Sequence, residues 1–447
     1  MKRILLVVMC ALLALSGACQ STPEIVVSTS APAAESVTEA ATSTPAVTPE
    51  PTPSPTPAPA CVTIMAVGDL MCLPHQIGAA RSGGGYNFDY AFAPVKDILS
   101  SADLAIGNLE TLIAEGHPYP PIRSEAESTP APTAGTDPSA EPSASASASG
   151  EPSEEEGESV AFGPGNAMAD IALQHSTWQR RQTLLENMRL NGPASYLDAV
   201  VAAGFDVLTT ANNHSFDYGE DGIRKTIAQL DARNIPHTGT YAAEADKALP
   251  LIVDVQGVKL GILSYTTFVN NGARSPLIGH YDADLAAADI AAAKQAGADF
   301  IVVCIHWGTQ NSRTVTNKQR TEAQHFADSG ADLILGAHPH CIQEFELLDT
   351  ARGSVPVIYS LGNFIASMPL PMNDDGMILK FVLEKDFATG KTSLTSLSYI
   401  PTYCGNTDAG RFAVVPADAA SAEGSPALAK SRNRTIKVLG EDIATPE

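Results

Sequence analysis

Carboxylates, amides and imidazoles recur in this chain at one kind of place, directly after a short apolar run. Asp69 follows the run 62–67, Asn108 and Glu110 follow 104–106, and Asn212, Asn213 and His214 follow 207–210. His306 follows 300–305, His338 and His340 follow 333–335, and Asn363 follows 357–359. Carboxylate oxygen and imidazole nitrogen together make a donor set for a divalent ion, suited to Mn, Fe or Zn. Singly, each residue has a plainer account. Asp69 could cap a helix, Asn212 or Asn213 could form a turn, Glu110 could be a solvated charge, and each His a hydrogen-bonded loop residue. The repetition argues for the set, because an open α/β sheet binds ligands beyond the carboxyl ends of its strands.

The runs that must position these residues alternate with helical patterns at 196–203, 222–233, 285–296 and 318–329. Such alternation predicts an α/β layered fold, with sheet inside and helices outside. Segments 377–384 and 392–400 read as a closing antiparallel hairpin. One domain is expected over 61–405, followed by a weakly patterned tail at 406–447. Residues 124–160 are acidic, rich in Pro, Ser and Ala and without periodicity, which predicts a disordered surface insertion. The stretch 177–191, with Trp178, Leu184, Leu185 and Met188, reads as a helix capping it.

The N-terminus reads as an address. Met1-Lys2-Arg3 followed by an apolar stretch at 4–15 fits an export signal. That stretch is shorter than the ~20 residues of a permanent membrane span. Ser16-Gly17-Ala18-Cys19 resembles the lipobox of bacterial lipoproteins, which implies that 1–19 is a lipoprotein signal segment cut just before Cys19, and that Cys19 carries lipid as the first mature residue. Leu15 lies four places before that Cys instead of the usual three, and an ordinary signal peptide is the alternative. Residues 20–60 are Ser, Thr, Ala, Glu and Pro, ending in alternating prolines, and predict an extended, solvated stalk. The expected location is the extracellular face of the bacterial cytoplasmic membrane, anchored by lipid.

Lys and Arg number 27 against 50 Asp and Glu, a net charge of -23. This excludes nucleic acid as the main partner, since phosphate binding needs a basic surface. More than half of that net charge falls within 20–60 and 124–160, outside the expected domain core. Beyond Cys10 and Cys19 the cysteines are Cys61, Cys72, Cys304, Cys341 and Cys404, an odd number without a CxxC pair. Cys61 with Cys404 would bracket the domain, but spacing leaves the connectivity open.

The ordered motifs carry a resemblance. Gly68-Asp69, Asn108-Leu109-Glu110, Ala211-Asn212-Asn213-His214 with Asp217-Tyr218-Gly219, His306-Trp307-Gly308, Gly336-Ala337-His338-Pro339-His340 and Tyr359-Ser360-Leu361-Gly362-Asn363-Phe364 resemble the CapA family of bacterial capsule-synthesis proteins. That family is related to the poly-γ-glutamate synthesis accessory proteins and to the calcineurin-like metallophosphatases. The resemblance implies a four-layer α/β/β/α sandwich with one or two divalent ions at its strand ends. It makes Asp69 and His340 first-metal ligands, Glu110 a bridging carboxylate, and Asn213, His306 and His338 second-metal ligands. His214 takes the place of the general acid, and Asn108, Asn212 and Asn363 stand behind the ligands.

There are departures. Met71 stands where such phosphatases usually carry a His, and a thioether is a poor ligand for a hard cation. Gln310 replaces a carboxylate often found four residues after His306. Two functions follow. One is metal-dependent hydrolysis on an exopolymer or a phosphorylated small substrate. The other is a non-catalytic envelope accessory protein that binds or guides a polyanion. Both place the chain in capsule or exopolymer production, in company with a capsule-synthesis complex. Arg274 and Arg313 are the nearest candidates to clamp an anion, with surface solvation as the plainer reading of both.

Overall fold

The computed structural model describes residues 58–120, 188–406, 411–443 and 445. The expected signal segment 1–19, the stalk up to 57 and the insertion 124–160 lie outside them, as does most of the expected helix 177–191. Its described end, 188–190, is irregular.

Period-two alternation with apolar residues on both faces builds the centre of the molecule. In β1 (Ala60–Leu70) Val62, Ile64 and Ala66 face one core, while Met65, Val67 and Leu70 face another. A strand that is apolar on both faces belongs inside a sheet covered on both sides. The first sheet continues through β2 (Leu104–Leu109), β3 (Val207–Thr209) and β4 (His237–Thr238), all parallel.

The second sheet is made of β5 (Leu251–Val255), β6 (Val258–Thr266), β7 (Phe300–His306), β8 (Leu333–Ala337), β9 (Phe345–Thr350) and β10 (Gly353–Ile358). Its order is β9-β10-β8-β7-β6-β5. The four central strands β10, β8, β7 and β6 are parallel, and the edge strands antiparallel. In β7 and β8, Phe300, Val302, Leu333 and Leu335 join the inner faces of the first sheet, whereas Ile301, Val303 and Ile334 face outward.

Helices complete the outer layers. Tyr196, Leu197 and Val200 of α1 (Ala194–Ala202) and Leu230 of α2 (Gly219–Asp231) pack on the first sheet. Ile290 of α3 (Ala283–Gln295) and Phe326 of α4 (Asn317–Ser329) pack on the second. Asp282 caps α3 by accepting from the backbone of Asp284 and Leu285, and Thr316 with Gln319 caps α4. The expected α/β/β/α sandwich is what these three apolar clusters describe.

The C-terminal part departs from expectation. After β11 (Asn363–Ile365), which pairs with β1, the hairpin β12 (Asp375–Asp386) and β13 (Lys391–Asn406) joins the first sheet beside β1. The described residues of 406–447 are not a tail. β14 (Phe412–Pro416) pairs with β13, and α5 (Pro426–Leu439) packs on the domain, with Leu439 and Ile443 entering the inner core. The domain therefore does not end at 405. Cys61, Cys72, Cys304, Cys341 and Cys404 are all unpaired, so the Cys61–Cys404 bracket is not formed.

The chain leaves the described region after Pro120 and returns at Met188 through a stapled neck. The backbone of Gly192 donates to Leu112, at 2.8 Å. Asn191 accepts from the Ala114 backbone at 2.8 Å and donates to the carbonyls of Ala114 and His117.

Candidate metal centre

Asp69, Asn108 and Asn363 are register partners on three adjacent strands, β2, β1 and β11, so one row across the sheet sets all three. The row is possible because Gly68 has no side chain. A Cβ there would meet the Gly362 carbonyl oxygen at 1.9 Å. Pairing shifts register on both sides of Asp69, an irregularity that re-aims a side chain at a strand end.

From that row the donors converge. Asp69 Oδ1 accepts from Asn108 Nδ2 at 2.7 Å, and Asp69 Oδ2 lies 3.1 Å from His340 Nδ1. His340 Nδ1 is also 3.0 Å from Asn363 Oδ1, which turns its Nε2 toward Glu110 Oε1 at 3.7 Å. From the second sheet, His306 Nε2 lies 3.6 Å from the same Glu110 oxygen and 2.9 Å from Asn213 Oδ1. Two groups emerge whose donor atoms lie within 4.8 Å of one another: Asp69, Glu110 and His340, and Glu110, His306 and His338. Glu110 belongs to both.

The electrostatics fit a cation. Both oxygens of Glu110 and Nδ1 of His338 are buried without a hydrogen-bond partner. A buried carboxylate in that state is costly unless a charge compensates it. Burial pushes the Glu110 carboxyl well above the usual range, and the negative charge of Asp69 adds to it. Burial likewise holds His306 and His338 well below the usual imidazole range, with neighbouring imidazoles reinforcing it. Neutral imidazoles around clustered carboxylates are what a divalent ion requires of its ligands.

The turn that carries two of these histidines is strained. His338 and His340 have φ of 97° and 55°, left-handed values that a non-glycine residue keeps only when its surroundings impose them. Gly336 lets the turn pack. A Cβ there would meet the Tyr359 carbonyl oxygen at 1.9 Å, the acceptor of Trp307 Nε1.

His214 lies beside this cluster in a network of its own. Its Nδ1 is 2.7 Å from Asp217 Oδ2, and its backbone NH donates to Asn212 Oδ1, whose amide is in turn held by the Leu109 carbonyl. Asn270 adjoins both His214 and Asn213, at 3.3 Å each. Phe268 stands edge-on to His338 with ring centres 4.7 Å apart, and at 36% exposure it is open to solvent.

The structure brings together Asp69, Glu110, His306, His338 and His340, with Asn108, Asn213 and Asn363 bonded to members of that group and Asn212 and His214 beside it. Asp217, Asn270 and Phe268 were missed as site residues. Only Asp217 left a signal, its three-residue spacing from His214. Met71 packs with Leu73, Leu190, Ala366 and Met368, pointing into an apolar cluster. Gln310 is partly exposed and Arg274 exposed. Arg313 is not a free clamp, for its Nη2 pairs with buried Asp375 at 3.1 Å. Cys19 lies outside the described residues.

The model of a family described as bacterial capsule synthesis protein PGA_cap matches residues 63–134 and 169–368. The PGA biosynthesis protein CapA of Bacillus subtilis is 31% identical over 198 residues, covering 43% of this chain and 50% of that protein. The capsule biosynthesis protein CapA of Bacillus anthracis is 31% identical over 207 residues, covering 44% and 49%. The chain thus spans about half the length of these curated relatives. Among solved structures, the calcineurin-like phosphoesterase YfkN of Bacillus subtilis aligns with a TM-score of 0.41 at 14% identity, over 85% of this chain and 99% of that one. A Mycoplasma pneumoniae phosphatase aligns with a TM-score of 0.41 at 12% identity, over 77% and 94%.

Proposed function

We propose that this chain, which belongs to the bacterial capsule synthesis protein family PGA_cap, serves capsule or poly-γ-glutamate exopolymer biosynthesis or export through a metal-dependent hydrolase site of the phosphatase type. The observation that carries the reading is Glu110, buried, without a hydrogen bond, and shared by two sets of ligand atoms. Asp69, Glu110 and His340 would hold one ion, and Glu110, His306, His338 and Asn213 a second. A divalent ion there supplies Lewis-acid polarisation of a phosphoryl or carbonyl oxygen.

The chain's own residues do the rest. Asp217 accepts from Nδ1 of His214, which fixes the tautomer and leaves Nε2 as the atom that exchanges a proton with the leaving group. Asn212 accepts from the backbone NH of His214 and so fixes the base of that side chain. Phe268, open to solvent beside His338, offers an apolar surface to the bound substrate. The substrate class is an exopolymer or a phosphorylated small molecule, handled within a capsule-synthesis complex.

The location belongs to the same proposal. The signal segment would direct export, after which acylated Cys19 and the proline-rich stalk would hold the domain on the extracellular face of the cytoplasmic membrane. No helix among the described residues is long and apolar enough to cross a membrane. Metabolic labelling with a fatty acid should mark the protein and leave Cys19→Ser unmarked; equal labelling of the two would exclude the anchor.

Met71 supports a second reading. With an apolar side chain where an imidazole would serve the first ion, the cleft could bind and guide a polyanion without catalysis. Elemental analysis and turnover of phosphomonoester and phosphodiester probes separate the two. The hydrolase predicts stoichiometric metal that is lost in Asp69→Asn and His338→Ala together with turnover. A metal-free protein without turnover, unchanged by those substitutions, leaves the binding reading.

A further inference from the structure

The segment that shapes the metal centre from behind is fastened by a residue far along the chain. Arg434, on α5, places Nε 2.7 Å and Nη2 2.6 Å from the two oxygens of Asp375, a forked contact with a carboxylate that is wholly buried. The same Nη2 donates to the Pro371 carbonyl at 3.1 Å. Arg434 thus grips the first residue of the short helical turn Pro371–Asp374 and the residue that follows the turn. Arg313 adds a single contact to Asp375 at 3.1 Å.

Asn373, in the middle of that turn, reaches the site. Its Nδ2 donates to the His340 carbonyl at 2.9 Å and to Asn311 Oδ1 at 2.8 Å. Its own carbonyl accepts from Asn363 Nδ2 at 2.9 Å, and Asn363 Oδ1 meets His340 Nδ1 at 3.0 Å. His340 is therefore held by its backbone and by its ring from one turn. It needs that hold, because at φ 55° its conformation is imposed on it.

We infer that Arg434 is a positioning residue for the metal centre, acting through Asp375, Asn373 and Asn363 on the orientation of His340. The inference rests on the metal-centre reading above. It goes beyond the family match, which ends at residue 368, before Asn373, Asp375 and Arg434. Partners that orient a metal-bound imidazole typically alter metal affinity by 10–100-fold when removed.

The test uses the full chain and Mn²⁺ or Co²⁺ alone as probe. Arg434→Ala should weaken Mn²⁺ binding about tenfold or more and change the visible spectrum of the Co²⁺-loaded protein. Arg434→Lys, which keeps the charge but not the fork, should fall between. Leu439→Ala, on the same helix but packed in the inter-sheet core, controls for loss of stability and should keep both parental affinity and spectrum. Parental affinity and spectrum in Arg434→Ala would overturn the inference, as would an equal loss in Leu439→Ala. If Arg434→Ala does not fold, parental affinity in Arg434→Lys overturns it instead. A parent that takes up no metal overturns the metal-centre reading and this inference with it, whereas a parent that binds and a variant that matches it defeats this inference alone.

Discussion

Glu110 is the residue on which two donor sets depend, so Glu110→Gln, of nearly the same shape, should abolish stoichiometric metal measured by elemental analysis. Asp217→Asn should behave differently. Metal content should stay parental while turnover falls at least ~10²-fold, because the imidazole loses the acceptor that fixes its tautomer. A third carboxylate reports on pH. Burial, and next the charge of Asp375, push Asp374 up to about 7, with Arg434 opposing. The folded state then keeps a proton that the unfolded chain releases near its ordinary 3.8. Stability attributable to Asp374 is therefore intact below about pH 4, is lost as pH rises, and is gone above about 7. Asp374→Asn should flatten the melting temperature across that window and raise it at pH 8. At this scale the ligands were legible because each directly follows an apolar run. Phe268 and Asn270 follow β6 but bring no carboxylate or imidazole to mark them, and Asn373 follows no apolar run, so only the fold shows their part in the site.

Elements carry a different dependence, on close approach. Gly336 lies at the end of β8 with the Tyr359 carbonyl where a Cβ would be. Gly336→Ala should cost ~3 kcal/mol, from overpacking that neither backbone can relieve, and denaturant unfolding would measure it. The strands that create this approach were legible, since apolar residues on both faces leave few alternatives to a covered sheet. α5 was not. The side chains it buries include Ser431, Thr435 and Leu439, so the face turned to the domain is half polar and gives little helical periodicity. β14 is a short run at the sheet edge, identified by its partner β13 more than by its own pattern. Met71 shows the converse. Its type predicts that it stands apart from the ion site, and its side chain packs into an apolar cluster.

The whole molecule divides its labour between two kinds of sequence. More than half of the net charge of -23 falls within 20–60 and 124–160, whereas buried carboxylates of the domain sit at the metal centre and under the Arg434 fork. The neck at Leu112 and Gly192 separates the two kinds. Its hydrogen bonds close the chain before the insertion begins, and closing a longer loop costs only about 0.6 kcal/mol per doubling of length. Replacing 123–185 with a short Gly-Ser linker should therefore leave the melting temperature within a few degrees of the parent. A fall comparable to that of Gly336→Ala would mean that the insertion is part of the fold. A junction of this kind works as a socket. A foreign module with adjacent termini could be seated there and displayed beside the site, and the host would register its presence chiefly as added mass.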